Sequence, residues 1–431
     1  MSRRTSFAAM MLALLLGIIV TACGGQTQSS TGTKITVWLP GNTQSEITYV
    51  TNTIVPAFEK ANPGIQVDLQ YVDWGNFSPK LNSAFAGGIA PDVFGYGTAA
   101  TAGYVAANQV LPLNSYINGL SSSTRADFGN LFNQGKVGSN YYAVPFTGQG
   151  ELFAYRTDLF QQAGLDPNKP PTNWEQLMQD AERLTQRSGN SVERAGLVVN
   201  ESNPSLEQSF ATFLEQAGGS LISSDGKSVT WNSPAGVKAL QFMVNMYNGP
   251  HAVASNDNVD YGSLPAGQQP LLTGKAAIAL VGQGQLLTMQ EANPQVFKHI
   301  AVMPPLGEPD KASFGGVSYG LYINKASKNA DAAWRFIQYM INPTTLNSFY
   351  QVNGSLPIRT SLVNSSFVKD HPYMKTFIQA YSTFQPNPNV AAWVNARDIL
   401  IRYIEQALAQ QSSPKAALDS AAAEVNPLLA K

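Results

Sequence analysis

The sequence predicts an α/β fold divided between two lobes. Three observations carry this. Strand and helix signals alternate from residue 34 onward. The first strands are short β-branched runs set between helices, the pattern of a mostly parallel sheet flanked by helices on both faces. The 431-residue chain is also too long for a single hydrophobic core.

The elements follow in chain order. Arg3 and Arg4 precede an uncharged apolar run over residues 7–20, a basic start and short core of the kind that directs secretion. The run is short of the ~20 apolar residues that span a bilayer. Thr21 and Ala22 supply the small residues that cleavage needs, and Cys23, the one cysteine of the chain, becomes the new N-terminus. It has no partner for an internal disulfide. Val20-Thr21-Ala22-Cys23-Gly24 resembles the lipobox of bacterial lipoproteins, which implies a lipid on the Cys23 sulfur. Residues 24–33, "GGQTQSSTGT", read as a flexible tether. Cleavage leaves 409 residues and moves the formal net charge from −1 to −3.

In the body, "KITVWLP" (34–40) is a strand and 45–61 a helix that Pro56 should kink or split. "GIQVDLQYV" is a second strand, 77–85 an amphipathic helix, and "PDVFGY" a short buried strand. "YYAVPFTGQGELFAYRTDLF" reads as two strands broken at Gly148-Gln149-Gly150. Thr172 with Glu175 gives a capping box for the next helix. "AGLVV", "KAAIALVG", "HIAVM" and "GGVSYGLYINK" are further strands, with helices between them and a helical tail after His371.

Composition narrows the function classes. A near-neutral chain offers no basic face for nucleic acid. No second apolar run is long enough to span a bilayer. No cofactor or metal motif stands out. "LLTGKAA" has the outline of a phosphate loop, but Gln269 and Ala276 occupy positions that such a loop needs as Gly and Ser/Thr.

Five stretches in order resemble the extracellular solute-binding proteins of ABC importers, and most closely the group that binds oligosaccharides and includes the maltose-binding proteins. They are "FEKANPGIQV", "KLNSAFAGGIAPDVFGYG", "LLTGKAAIALVGQG", "FGGVSYGLYINKASKNADAAWRFIQYM" and "NPNVAAWVNARDIL". The resemblance implies the two-lobed periplasmic-binding-protein type II fold with a ligand cleft between lobes. It implies chain crossings near residues 146–149, 303–306 and 353–357. The expected division is a signal peptide over 1–22, a lipidated tether over 23–33, an N-terminal lobe of 34–147 plus 305–353, and a C-terminal lobe of 148–304 plus 354–431. It further implies a monomer, anchored outside the cell membrane through Cys23, that hands a carbohydrate to permease subunits.

A sugar presents apolar C–H faces and a rim of hydroxyls, so its site wants aromatic plates and amides. Candidates lie at the C-terminal ends of strands. Asn42 and Thr43 follow the first strand, and Trp74 follows the second, exposed for the ligand or covered by a helix. Tyr96 ends the third strand, at a place where the family often puts an aromatic. Gln149 lies in the first crossing, where maltose-type proteins carry a glutamate. Gln208 sits on a helix, facing either ligand or solvent. Gln283 stands where the family often has Gly-Pro-Trp, so a stacking plate is missing there. Ala99 and Ala100 replace a charged pair of the maltose type, which argues against maltose. Gly316 and Ser318 offer backbone amides, or close packing in the case of the glycine. Trp393 and Arg397, one helical turn apart, form a plate and a bidentate donor, or a stacked surface pair.

The rival readings are a glycan-active enzyme and a binding protein for iron, a polyamine or a peptide. Asp92, Glu151 and Asp158 fall in no acid/base context, and no Gly-x-Ser-x-Gly is present. Tyr141 and Tyr142 alternate across a strand onto opposite faces, which speaks against their sharing a metal.

Overall fold

The computed structural model describes residues 32–430 apart from 42, 190, 202–203 and 256–263. The secretion segment, Cys23, most of the tether and Asn42 lie outside the described residues.

The strands are β1 (Thr33–Pro40), β2 (Ile65–Val72), β3 (Val93–Tyr96), β4 (Lys136–Val137), β5 (Asn140–Tyr141), β6 (Val144–Arg156), β7 (Gln186–Ser188), β8 (Ser191–Val198), β9 (Ala276–Gly282), β10 (Ile300–Val302), β11 (Ser313–Ile323) and β12 (Phe384–Gln385). In the first lobe β1 pairs in parallel with β2 and β3, from Thr33 opposite Ile65 to Pro40 opposite Val72. Ile35, Val37 and Leu39 alternate into the core because side chains along a strand point to opposite faces. In the second lobe β8 and β9 are parallel.

Two long strands join the lobes. The first half of β6 pairs with β11, and its second half pairs with β9 and β10. β11 runs on to pair with β3. Both run antiparallel to these neighbours, so the α/β sheets are mixed. The expected break at Gly148-Gln149-Gly150 is absent: β6 is continuous over 13 residues. Its glycines admit close neighbours instead. A Cβ on Gly148 would meet the Leu356 carbonyl and the Tyr381 hydroxyl, and one on Gly150 would meet the Phe384 ring.

The helix signal over 45–61 resolves into Gln44–Tyr49, a π-turn Val50–Ile54 and Val55–Ala61. The wider turn accommodates Pro56, which lacks an N–H, in the first turn of the last segment. The cap expected at Thr172 falls one residue later. Asn173 accepts from the Gln176 N–H at 2.9 Å, while Thr172 holds the Gln176 side chain.

The expected lobe limits also move. Residues 303–312 are tied to the second lobe by Met303 to Phe153, Gly307 to Thr172 and Asp310 to Gln216, so the division at 304/305 falls too early. Arg359 reaches back to Asp127 and to the Ile341 carbonyl, both at 2.7 Å, because a buried guanidinium needs those acceptors. The division at 353/354 therefore also cuts a segment that still packs on the first lobe. Beyond it, helices Trp393–Leu408 and Pro414–Leu429 pack against each other, and the helices Ser205–Gln216 and Pro234–Tyr247 complete the second lobe.

Candidate functional site

A cleft of about 670 Å³ lies where the lobes face each other. Its first-lobe wall is the start of helix Trp74–Ala86, Tyr96 at the end of β3, and the turn Thr98–Ala100. Its floor is Gln149 of β6 with Phe314, Gly315, Val317 and Ser318 of β11. Its second-lobe wall is Pro204, Gln208, Pro386, Asn387, Trp393, Val394, Arg397 and Asp398.

Local sequence places these groups. Asp73 caps the helix by accepting from the Gly75 N–H at 2.9 Å, which sets Trp74 at the first position. Trp74 stays 41% exposed, with its ring 6.3 Å from Tyr96 and 5.7 Å from Tyr319. Tyr96 is held by stacking on the buried Phe77, centroids 5.4 Å apart. Behind it Phe94 stacks on Tyr322 at 5.0 Å, an aromatic core that stiffens this wall. The β6–β11 register slips between Val317 and Tyr319, so Ser318 is the extra residue of a bulge and turns toward the cleft.

On the opposite wall Trp393 opens helix Trp393–Leu408, and Arg397 follows one turn on. Trp393 is only 1% exposed, so it is a buried wall and not an open plate. Arg397 donates from Nε and Nη2 to Asp398 Oδ1, at 3.0 and 2.8 Å. Just before this helix Asn389 spans the cleft edge. It accepts from the Ala102 N–H and donates to the Lys136 carbonyl, both at 2.8 Å.

Behind the second-lobe wall lies a group of carboxyls, Glu207 fully buried and Glu151 and Glu215 partly so. Burial pushes Glu207 up to about 8, against the pull of the Arg397 charge and Asn387. Glu151 is pushed up to about 8 by burial and by Glu207, and Glu215 is raised for the same two reasons. Among the described residues no three His, Cys, Asp or Glu side chains are grouped to hold a metal.

Of the residues singled out in the sequence, Trp74, Tyr96, Gln149, Gln208, Ser318, Trp393 and Arg397 line the cleft. Three others do not. Thr43 precedes helix Gln44–Tyr49, where its carbonyl accepts from Ile47. Gln283 is buried and stitches β6, accepting from the Gly150 N–H at 3.1 Å and donating to the Gly148 carbonyl at 3.4 Å. Gly316 has φ +129°, and a Cβ there would meet the Gln134 side chain, whose Oε1 accepts from the Val317 N–H at 2.8 Å. The glycine serves packing. Asn387, Asp398 and Phe314 were not singled out. Asp398 adjoins Arg397 in sequence, which was a usable signal; Phe314 and Asn387 gave none.

Residues 42–345 match the family model described as bacterial extracellular solute-binding protein. The chain belongs to that family. Among its relatives is the sn-glycerol-3-phosphate-binding periplasmic protein of Yersinia pestis bv. Antiqua (strain Antiqua), 22% identical over 412 residues and 90% of each chain. The fold of this solute-binding protein matches that of a Listeria monocytogenes ABC substrate-binding protein in complex with cycloalternan. The TM-score is 0.80 and identity 22%, covering 92% of this chain and 99% of that one. It likewise matches an ABC transporter solute-binding protein of Thermotoga lettingae bound with α-D-tagatose, with TM-score 0.79, 22% identity and coverage of 92% and 100%.

Proposed function

We propose that this solute-binding protein captures a sugar or oligosaccharide between its lobes and delivers it to the permease of an ABC importer, as a binding component and not as an enzyme. The observation that carries the reading is the make-up of the cleft. The first-lobe rings of Trp74 and Tyr96 stand with the amides of Gln149, Gln208 and Asn387, against a second-lobe wall backed by the buried Trp393. Rings suit the C–H faces of a pyranose and amides suit its hydroxyls. The binding of cycloalternan and of tagatose by proteins of the same fold supports it.

A ligand that touches both walls favours the arrangement in which they meet, so binding draws the lobes together about β6, β11 and the segment near Leu356. The lipobox supports a membrane anchor at Cys23, which keeps a monomeric receptor near its permease. No helix among the described residues is long and apolar enough to cross a membrane.

A second reading, a phosphate ester, is favoured by the glycerol-phosphate relative. Thermal-shift screening across mono- and oligosaccharides, followed by calorimetric titration, tests the first. Stabilisation by at least one carbohydrate is expected. Stabilisation by a peptide, polyamine or iron salt with no response to any carbohydrate would overturn it.

A further inference from the structure

Among the described residues that line the cleft, Arg397 and Asp398 alone carry a formal charge, and they are bound to each other. We infer that Asp398 sets the ligand class: by pairing with Arg397 it withholds the guanidinium from anions and makes the cleft a site for uncharged, polyhydroxylated ligands. This rests on the reading of the cleft as the solute site.

Arginine is the side chain best shaped to grip phosphate or carboxylate, through two parallel N–H bonds. Here Nε and Nη2 already share one carboxylate oxygen. The Asp398 side chain is 49% exposed and Arg397 19%, so an anion entering the cleft meets the carboxylate at least as readily as the guanidinium. Like charge placed beside the one cation is the repulsive element by which a site rejects a competing ligand class. Among the described residues no lysine or other arginine lines the cleft to compensate. A hydroxyl both donates and accepts, so it can bond to either member of the pair, whereas an anion can only accept.

The test compares the wild type with Asp398→Asn and Asp398→Glu, titrated with sn-glycerol 3-phosphate and with inorganic phosphate. Thermal melting establishes that each variant is folded. Asp398→Asn is expected to bind sn-glycerol 3-phosphate about tenfold tighter or more, the ratio that corresponds to about 1.4 kcal/mol. Asp398→Glu, which restores the charge, is expected to bind it as weakly as the wild type. Tight binding of sn-glycerol 3-phosphate by the wild type, or no gain in Asp398→Asn, would overturn the inference. Neutral carbohydrates form a separate arm. If none binds while the anion arm behaves as expected, the carbohydrate reading falls and the charge rule stands.

Discussion

Gly148 and Leu356 exchange two backbone hydrogen bonds, of 3.1 Å from the Gly148 N–H and 2.9 Å from the Leu356 N–H. One belongs to the strand that joins the lobes, the other to the chain that returns from helix Pro343–Asn353. The bridge ties two of the segments that join the lobes. It depends on glycine, since any side chain at 148 would strike the Leu356 carbonyl and the Tyr381 hydroxyl.

Gly148→Ala is therefore expected to destabilise the protein by about 1–3 kcal/mol, the usual cost of forcing atoms into a packed site. Calorimetric melting reads the loss. An unchanged melting temperature would mean that the crossing relaxes freely around the methyl group.

Glu46 links this region to pH. Its carboxyl is buried, accepts from Asn353 Nδ2 at 2.6 Å and Tyr71 at 3.2 Å, and is pushed up to about 7 chiefly by burial. The fold thus favours its protonated form. That contribution is full below the unfolded value of 4.5 and is lost as the pH rises through about 7. Its size is on the order of 3 kcal/mol at most. Glu151 and Glu207, raised to about 8, act in the same sense. Melting temperature should fall between pH 5 and pH 8.5, and fall less in Glu46→Gln. Identical pH profiles for the two proteins would count against this account.

The two cleft tryptophans should separate under mutation. Trp74 is 41% exposed, so Trp74→Ala is expected to weaken ligand binding about tenfold or more with little change in stability. Trp393 is buried, so Trp393→Ala is expected to cost about 3–5 kcal/mol of stability besides any loss of affinity. Titration beside melting distinguishes them. Equal melting temperatures for both variants would show that burial does not govern their roles.

Cys23→Ser should leave the protein without a lipid. Intact-mass analysis of membrane-associated protein decides the point. A wild-type mature chain without added acyl mass would refute the anchor.

The sequence by itself determined the α/β class, the two-lobe organisation and the family, because alternating apolar runs and helix periodicities are local patterns. It also marked seven of the residues that the cleft assembles. Tertiary structure decided the remainder, for reasons that no local pattern carries. Gln283 was expected at the ligand, yet the Gly150 N–H and the Gly148 carbonyl of β6 claim its amide. Gly316 is glycine because Gln134, distant in sequence, fills the space its side chain would need. The glycines at 148 and 150 looked like a strand break because the groups that crowd them arrive from residues 356, 381 and 384. Whether Trp393 is a plate or a wall was decided by its packing into the hydrophobic core. The charge of the cleft was likewise settled by packing, which brought one arginine and its neighbouring aspartate into a wall of neutral side chains.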